Sequence, residues 1–143
     1  MGCDPGSSGC IILLHRDGSF VKEIRMDQTL QDIGFTLRQY RKEISFGFIE
    51  RVHSMPKQGV ASSFKFGTSF GVIIGMVAIC GIRHEFIQPQ KWQASLKCLT
   101  KGDKNVSKAR AQQLFPAVKV IHQNADALLI AEWARQTGIE RGY

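Results

Sequence analysis

Cys10-Ile11-Ile12-Leu13-Leu14, reached from Met1-Gly2-Cys3-Asp4 through the turn Pro5-Gly6-Ser7-Ser8-Gly9, decides the architecture. Five apolar residues in unbroken succession fit a strand covered on both faces better than one with a wet side. The turn before it can reverse the chain tightly, since proline presets one backbone angle and glycine accepts the conformations that follow. Arg16-Asp17-Gly18-Ser19 then reads as a hairpin turn, and residues 20–25 as a shorter, partly exposed third strand. Three antiparallel strands in a meander are therefore expected at the N-terminus.

From that meander outward, Thr29 is placed to cap a helix whose apolar residues Leu30, Ile33, Leu37 and Tyr40 recur at helical spacing. Residues 44–50 return to strand, too apolar for an edge, and a right-handed crossover would lay them parallel to the first strand. Residues 51–62 read as a loop, and a long helix is expected from Ser62 or Ser63 to about Cys80-Gly81. Gly67, Gly71 and Gly75 sit four apart on one ridge of it, and close packing of that ridge on the sheet is the expectation. A short strand at 84–87, a helical turn from Pro89 holding Trp92, a helix at 104–114 behind Gly102-Asp103, and a last helix at about 124–136 complete the chain. The sum is an α/β fold, a mixed sheet with helices on its faces, and residues 1–143 are expected to form a single domain.

The chain has 19 Lys and Arg against 12 Asp and Glu, a net charge of +7, which favours a polyanionic partner, nucleic acid ahead of membrane. At 43% hydrophobic residues, without a low-complexity tract, it is neither a disordered tail nor a fibrous repeat. Cys3, Cys10, Cys80 and Cys98 are too scattered for a disulfide framework or a zinc site, so free thiols in a reducing cytoplasm are expected. The longest apolar run, residues 70–82, is too short for a span of roughly 20 residues, and no membrane partner and no small-molecule cofactor are expected.

Three acids stand at apolar surfaces. Asp4 ends the first strand, Glu50 ends the fourth on the face of Phe46 and Phe48, and Asp126 lies on the helical stripe of Ile130 and Trp133. A lone buried carboxylate is costly and needs a hydrogen-bond donor, a cation or a raised pKa. If the first and fourth strands are neighbours, Asp4 and Glu50 share one end of the sheet, and a helix across it brings Asp126 to them. Such a cluster would suit Mg²⁺, with Mn²⁺ as substitute, because all its donors are oxygen. Two ions could then serve phosphodiester hydrolysis. The same residues also admit plainer roles: Asp4 capping a turn, Glu50 pairing with a lysine, Asp126 favoured by a helix dipole.

Four segments together resemble the RuvC-type Holliday-junction resolvases. Asp4-Pro5-Gly6-Ser7-Ser8-Gly9 is similar to their D-P-G-x-x-G turn, and Glu50 through Gly59 to the E-x-V-x-x-M-P-x-Q-G segment of phage and bacterial relatives. Ser62-Ser63-Phe64-Lys65-Phe66-Gly67 with Pro89-Gln90-Lys91-Trp92, and Asn124-Ala125-Asp126-Ala127-Leu128-Leu129-Ile130-Ala131, continue the likeness in order over essentially the whole chain.

The resemblance implies a ribonuclease-H-like fold and a homodimeric, magnesium-dependent endodeoxyribonuclease that nicks opposing strands of a four-way DNA junction in recombination and repair. It would work in the cytoplasm of a bacterium or a phage-infected cell. By the same resemblance Asp4, Glu50 and Asp126 would bind metal. The family's usual fourth ligand, an acid three residues before the last, is Gln123 here, so His122 is the candidate, as ligand or as proton carrier. His53 takes the place of the family's base-stacking aromatic, with Met55, Phe64 or Phe66 as replacements, although core packing is the prior expectation for each phenylalanine. Lys91 and Lys104 resemble lysines near the scissile phosphate; Lys108, on the face of Lys104, and Lys57 are further phosphate contacts, unless these are simply solvated charges. Only three residues precede the D-P-G turn, short against about five or six for a strand, as expected if the start was assigned late or upstream residues are missing. A nuclease for forks, flaps or RNA/DNA hybrids, or a catalytically weak junction-binding protein, is the alternative.

Overall fold

The computed structural model describes residues 1–52 and 59–143. The elements run β1 (Gly2–Cys3), β2 (Cys10–Leu14), β3 (Phe20–Arg25), α1 (Leu30–Tyr40), β4 (Gly47–Glu50), α2 (Val60–Ile79), β5 (His84–Ile87), α3 (Pro89–Ser95), α4 (Lys104–Leu114) and α5 (His122–Glu140). The sheet has five strands in the order β3-β2-β1-β4-β5. β1, β2 and β3 form the expected antiparallel meander, and β4 and β5 join it in parallel.

Strand alternation divides the core in two. Cys10, Ile12, Phe46, Phe48 and Ile87 face α5, α3 and α4, while Cys3, Ile11, Leu13, Ile24 and Ile49 face Ile33 and Leu37 of α1 and Ile73 and Val77 of α2. β2 is thus buried on both sides, as its unbroken apolar run required. Thr29 caps α1 by accepting from the Asp32 N–H at 3.2 Å, and Asp103 caps α4 by accepting from the Asn105 N–H at 2.9 Å.

β1 is the shortest strand and the central one. α5 crosses β2, β1 and β4, and it comes so close to β1 that a Cβ on Gly2 would overlap the Ala131 amide and sit 2.6 Å from the Ala127 carbonyl oxygen. Only glycine lets α5 lie on the strand here.

Four expectations change. β4 covers Gly47–Glu50 and not the whole of 44–50. α2 starts at Val60, ahead of Ser62, because the Gly59 backbone serves as N-cap without a side-chain bond. α5 runs from His122 to Glu140, longer at both ends than 124–136. The glycine ridge does not pack on the sheet: among the described residues nothing lies within 4 Å of a Cβ built on Gly67, Gly71 or Gly75. The apolar contacts of α2 run instead through Ile73 and Val77, on its other side, while Val60, Phe64 and Ile79 are exposed. α2 also extends the apolar run well ahead of residue 70. With 20 residues it is long and apolar enough, by length and composition, to cross a membrane, yet Ile73 and Val77 are seated in the core of the sheet.

Candidate metal centre

Asp4 leaves the C-terminal end of β1 directly into the turn. Its Oδ1 accepts the Gly6 N–H at 3.0 Å, its own N–H donates to the Cys10 carbonyl at 3.0 Å, and the Gly9 N–H closes the turn on the Gly6 carbonyl at 2.8 Å. A Cβ on Gly9 would lie 2.8 Å from the Asp4 carboxyl carbon, so the second glycine of the turn makes room for the acid. Glu50 ends β4, the parallel neighbour of β1, at the same end of the sheet. Its Oε1 accepts the indole N–H of the fully buried Trp92 at 3.0 Å.

Asp126 is on the second turn of α5, the helix laid across these strands. Asn124 anchors that end: its Oδ1 accepts the Ile121 N–H at 2.9 Å, and its Nδ2 donates to Glu23 at 2.9 Å and to the Lys119 carbonyl at 3.1 Å. One carboxylate oxygen of Asp126, Oδ1, is buried with no hydrogen-bond partner among the described residues.

The three acids feel one another. Burial, then the charge of Asp4, pushes the Glu50 carboxyl up to about 7; Asp126 adds to this, while the Trp92 hydrogen bond and Lys104 oppose it. Asp4 is also raised, chiefly by burial and also by Asp126, against the pull of the Gly6 N–H and Lys104. Sites where burial and like charges combine are common functional sites. Among the described residues no three His, Cys, Asp or Glu side chains are gathered tightly enough to hold an ion as they stand. The donor set still fits a hard divalent cation: three carboxylates, an orphaned inward oxygen on one, and acid groups that burial has left short of positive charge.

His122 is the first residue of α5, one turn before Asp126, and is exposed. Lys104 opens α4, and its charge reaches Asp4 and Glu50. A cation at a helix N-terminus opposes the macrodipole, so its value there is toward an anion in the site rather than toward the helix. Lys108 is half-buried on the next turn of α4. Lys91, exposed on α3, holds its amine 5.8 Å from the Trp133 ring. Phe64 is 77% exposed, which corrects the expectation of core packing; it lies on the side of α2 away from Ile73 and Val77. Beside it, Ser62, Lys65, Phe66 and Ser69 of α2 and Ser7 of the glycine turn line an open cleft of about 270 Å³. His53, Met55 and Lys57 lie outside the described residues.

Sequence reasoning had no role for Trp92. An aromatic three residues after the helix-opening Pro89 gave a hint, but only the fold shows its N–H meeting Glu50.

No protein-family model matches the chain. It is 29% identical, over 103 residues, to the chloroplastic Holliday junction resolvase MOC1 of Chlamydomonas reinhardtii; the match takes in 68% of this chain and 12% of that protein. Among solved structures it is similar to RuvC of Thermus thermophilus, with a TM-score of 0.57 and 14% identity over 99% of this chain and 94% of the other. It is similar also to that organism's RuvC in complex with a Holliday junction substrate, with a TM-score of 0.58 and 13% identity over the same shares. With the sheet order, the strand directions and these superpositions together, the chain has the ribonuclease-H-like fold of the RuvC-type Holliday-junction resolvases.

Proposed function

We propose that this chain is a magnesium-dependent endonuclease that resolves four-way DNA junctions as a homodimer. The observation that carries the reading is that Asp4 and Glu50 follow or end the paired parallel strands β1 and β4 at one end of the sheet, that both feel the charge of Asp126 on α5, and that Oδ1 of Asp126 is buried with no partner among the described residues. The likeness to resolvases supports the substrate class.

In this reading Asp4, Glu50 and Asp126 hold the cation, and His122 stands on the solvent side of the set, off the ion. Mg²⁺, or Mn²⁺ in its place, two per site, would supply Lewis acidity and make a bound water easier to deprotonate. Trp92 and the buried faces of Phe48 and α5 keep bulk water from the rear of the acids. Lys104 counters the charge of the scissile phosphate, and Lys91, Lys108 and Lys57 bind flanking phosphates. His122 takes up the proton released from attacking water at an imidazole nitrogen. Phe64, and His53 ahead of it in the chain, stack on bases at the crossover. The exposed apolar side of α2 supports pairing with a second copy, as two cuts on a nearly two-fold junction require.

The test is cleavage of an immobile four-way junction, a fork and an RNA/DNA hybrid with and without Mg²⁺, beside Asp4→Asn. Junction-selective, magnesium-dependent cutting that Asp4→Asn abolishes is the expected result. Preference for the fork or hybrid, or cutting unchanged by Asp4→Asn, overturns it.

A further inference from the structure

Glu50 is held in an unusual way. Carboxylates at the end of a strand normally meet water, backbone N–H groups or a cationic side chain, whereas Oε1 of Glu50 meets the N–H of an indole that is itself 0% exposed. The rest of that ring is packed in the core between α3, α5 and the sheet. α3 follows β5 at once, with Pro89 in its first turn and no side-chain cap, and it brings Trp92 beneath the end of β4. A buried indole has one donor and no acceptor, so the bond can form only with the carboxylate oxygen turned toward it. Among the described residues Oε1 is the only Glu50 side-chain oxygen that accepts a hydrogen bond. One oxygen of a side chain with three rotatable bonds is thereby fixed.

Resting on the reading of Glu50 as a ligand, we propose that Trp92 is the positioning residue of the metal centre: its indole N–H fixes Oε1 so that Glu50 ligates through Oε2. Partners behind a ligand of this kind commonly set cation affinity by roughly 10–100-fold, because they orient the donor before the ion arrives. The loss falls on affinity more than on the rate with metal saturating, since Trp92 is too deep to touch DNA.

The experiment measures Mn²⁺ binding by calorimetry, without DNA, to the chain, to Trp92→Phe and to Glu50→Gln, and follows the two indole ¹⁵N–¹H signals of the chain during a MgCl₂ titration. Trp92→Phe keeps an aromatic ring, a smaller one, and loses the donor. The expected results are about tenfold or weaker Mn²⁺ binding in Trp92→Phe, and a Trp92 N–H signal that shifts with Mg²⁺ in the wild-type chain and stays still in Glu50→Gln. Trp133 is the internal reference. A packing role alone would leave the Trp92 signal indifferent to the ion. If the wild-type chain binds Mn²⁺ while the Trp92 signal does not move and Trp92→Phe binds equally well, the proposal is overturned and the metal reading survives. Absence of Mn²⁺ binding to the wild-type chain overturns both. If Trp92→Phe does not fold, the signal shift in wild type against Glu50→Gln decides alone.

Discussion

Replacing Glu50 by Gln should make the metal-free protein more stable above neutral pH while destroying its proposed activity. The Glu50 carboxyl is raised from 4.5 to about 7, mainly by burial and then by Asp4. The folded state therefore holds this proton more tightly than the unfolded chain does. Stability from that preference is complete below pH 4.5 and is lost as the pH rises through about 7. At about 1.4 kcal/mol per pH unit, the ionised Glu50 of the folded chain costs about 3 kcal/mol near pH 8. Glutamine has nearly the same shape, its carbonyl can still accept the Trp92 N–H, and it carries no charge. Urea unfolding in EDTA should place Glu50→Gln and wild type close together at pH 4.5 and separate them at pH 8 by about 1–2 M in midpoint, the variant being the more stable. Asp4, raised in the same sense, leaves part of the pH slope in the variant. Millimolar MgCl₂ should narrow the gap at pH 8 by stabilising wild type selectively. Equal midpoints at pH 8 without metal would show that Glu50 is not a strained acid and would remove the electrostatic case for a cation there.

Lys104→Ala, which removes a lysine whose charge reaches both Asp4 and Glu50, should weaken junction binding and lower the log–log salt slope by about one; an unchanged slope denies the phosphate contact. Phe64→Ala should alter stability by less than about 0.5 kcal/mol, given its exposure, but weaken junction binding by about 1–3 kcal/mol if a base stacks on it, read by fluorescence anisotropy. Gly2→Ala should cost about 3 kcal/mol or more in urea unfolding, since the new methyl has only α5 backbone to displace; a smaller loss would mean that α5 can lift from β1.

The parts of the fold written in local chemistry were open to reading. The apolar run at β2, the Asp-Gly hairpin, the Thr29 and Asp103 caps and the strand at His84–Ile87 each depend on neighbours in sequence, and each appears where the pattern put it. The three acids were likewise legible, because a charged group at the end of an apolar stretch is conspicuous without any knowledge of its surroundings. α2 was not. Its glycines repeat at a spacing that serves close packing or an open face equally well, and only the direction in which Ile73 and Val77 meet the sheet shows that Gly67, Gly71 and Gly75 face away. The same limit hid the partner of Glu50: 42 residues separate it from Trp92, and no periodicity records a contact at that range. Composition and spacing state which groups must be satisfied, since a polar group buried without a partner is costly wherever it lies. Which group satisfies which is a matter of distance, and distance exists only once β1, β4, α3 and α5 are packed together.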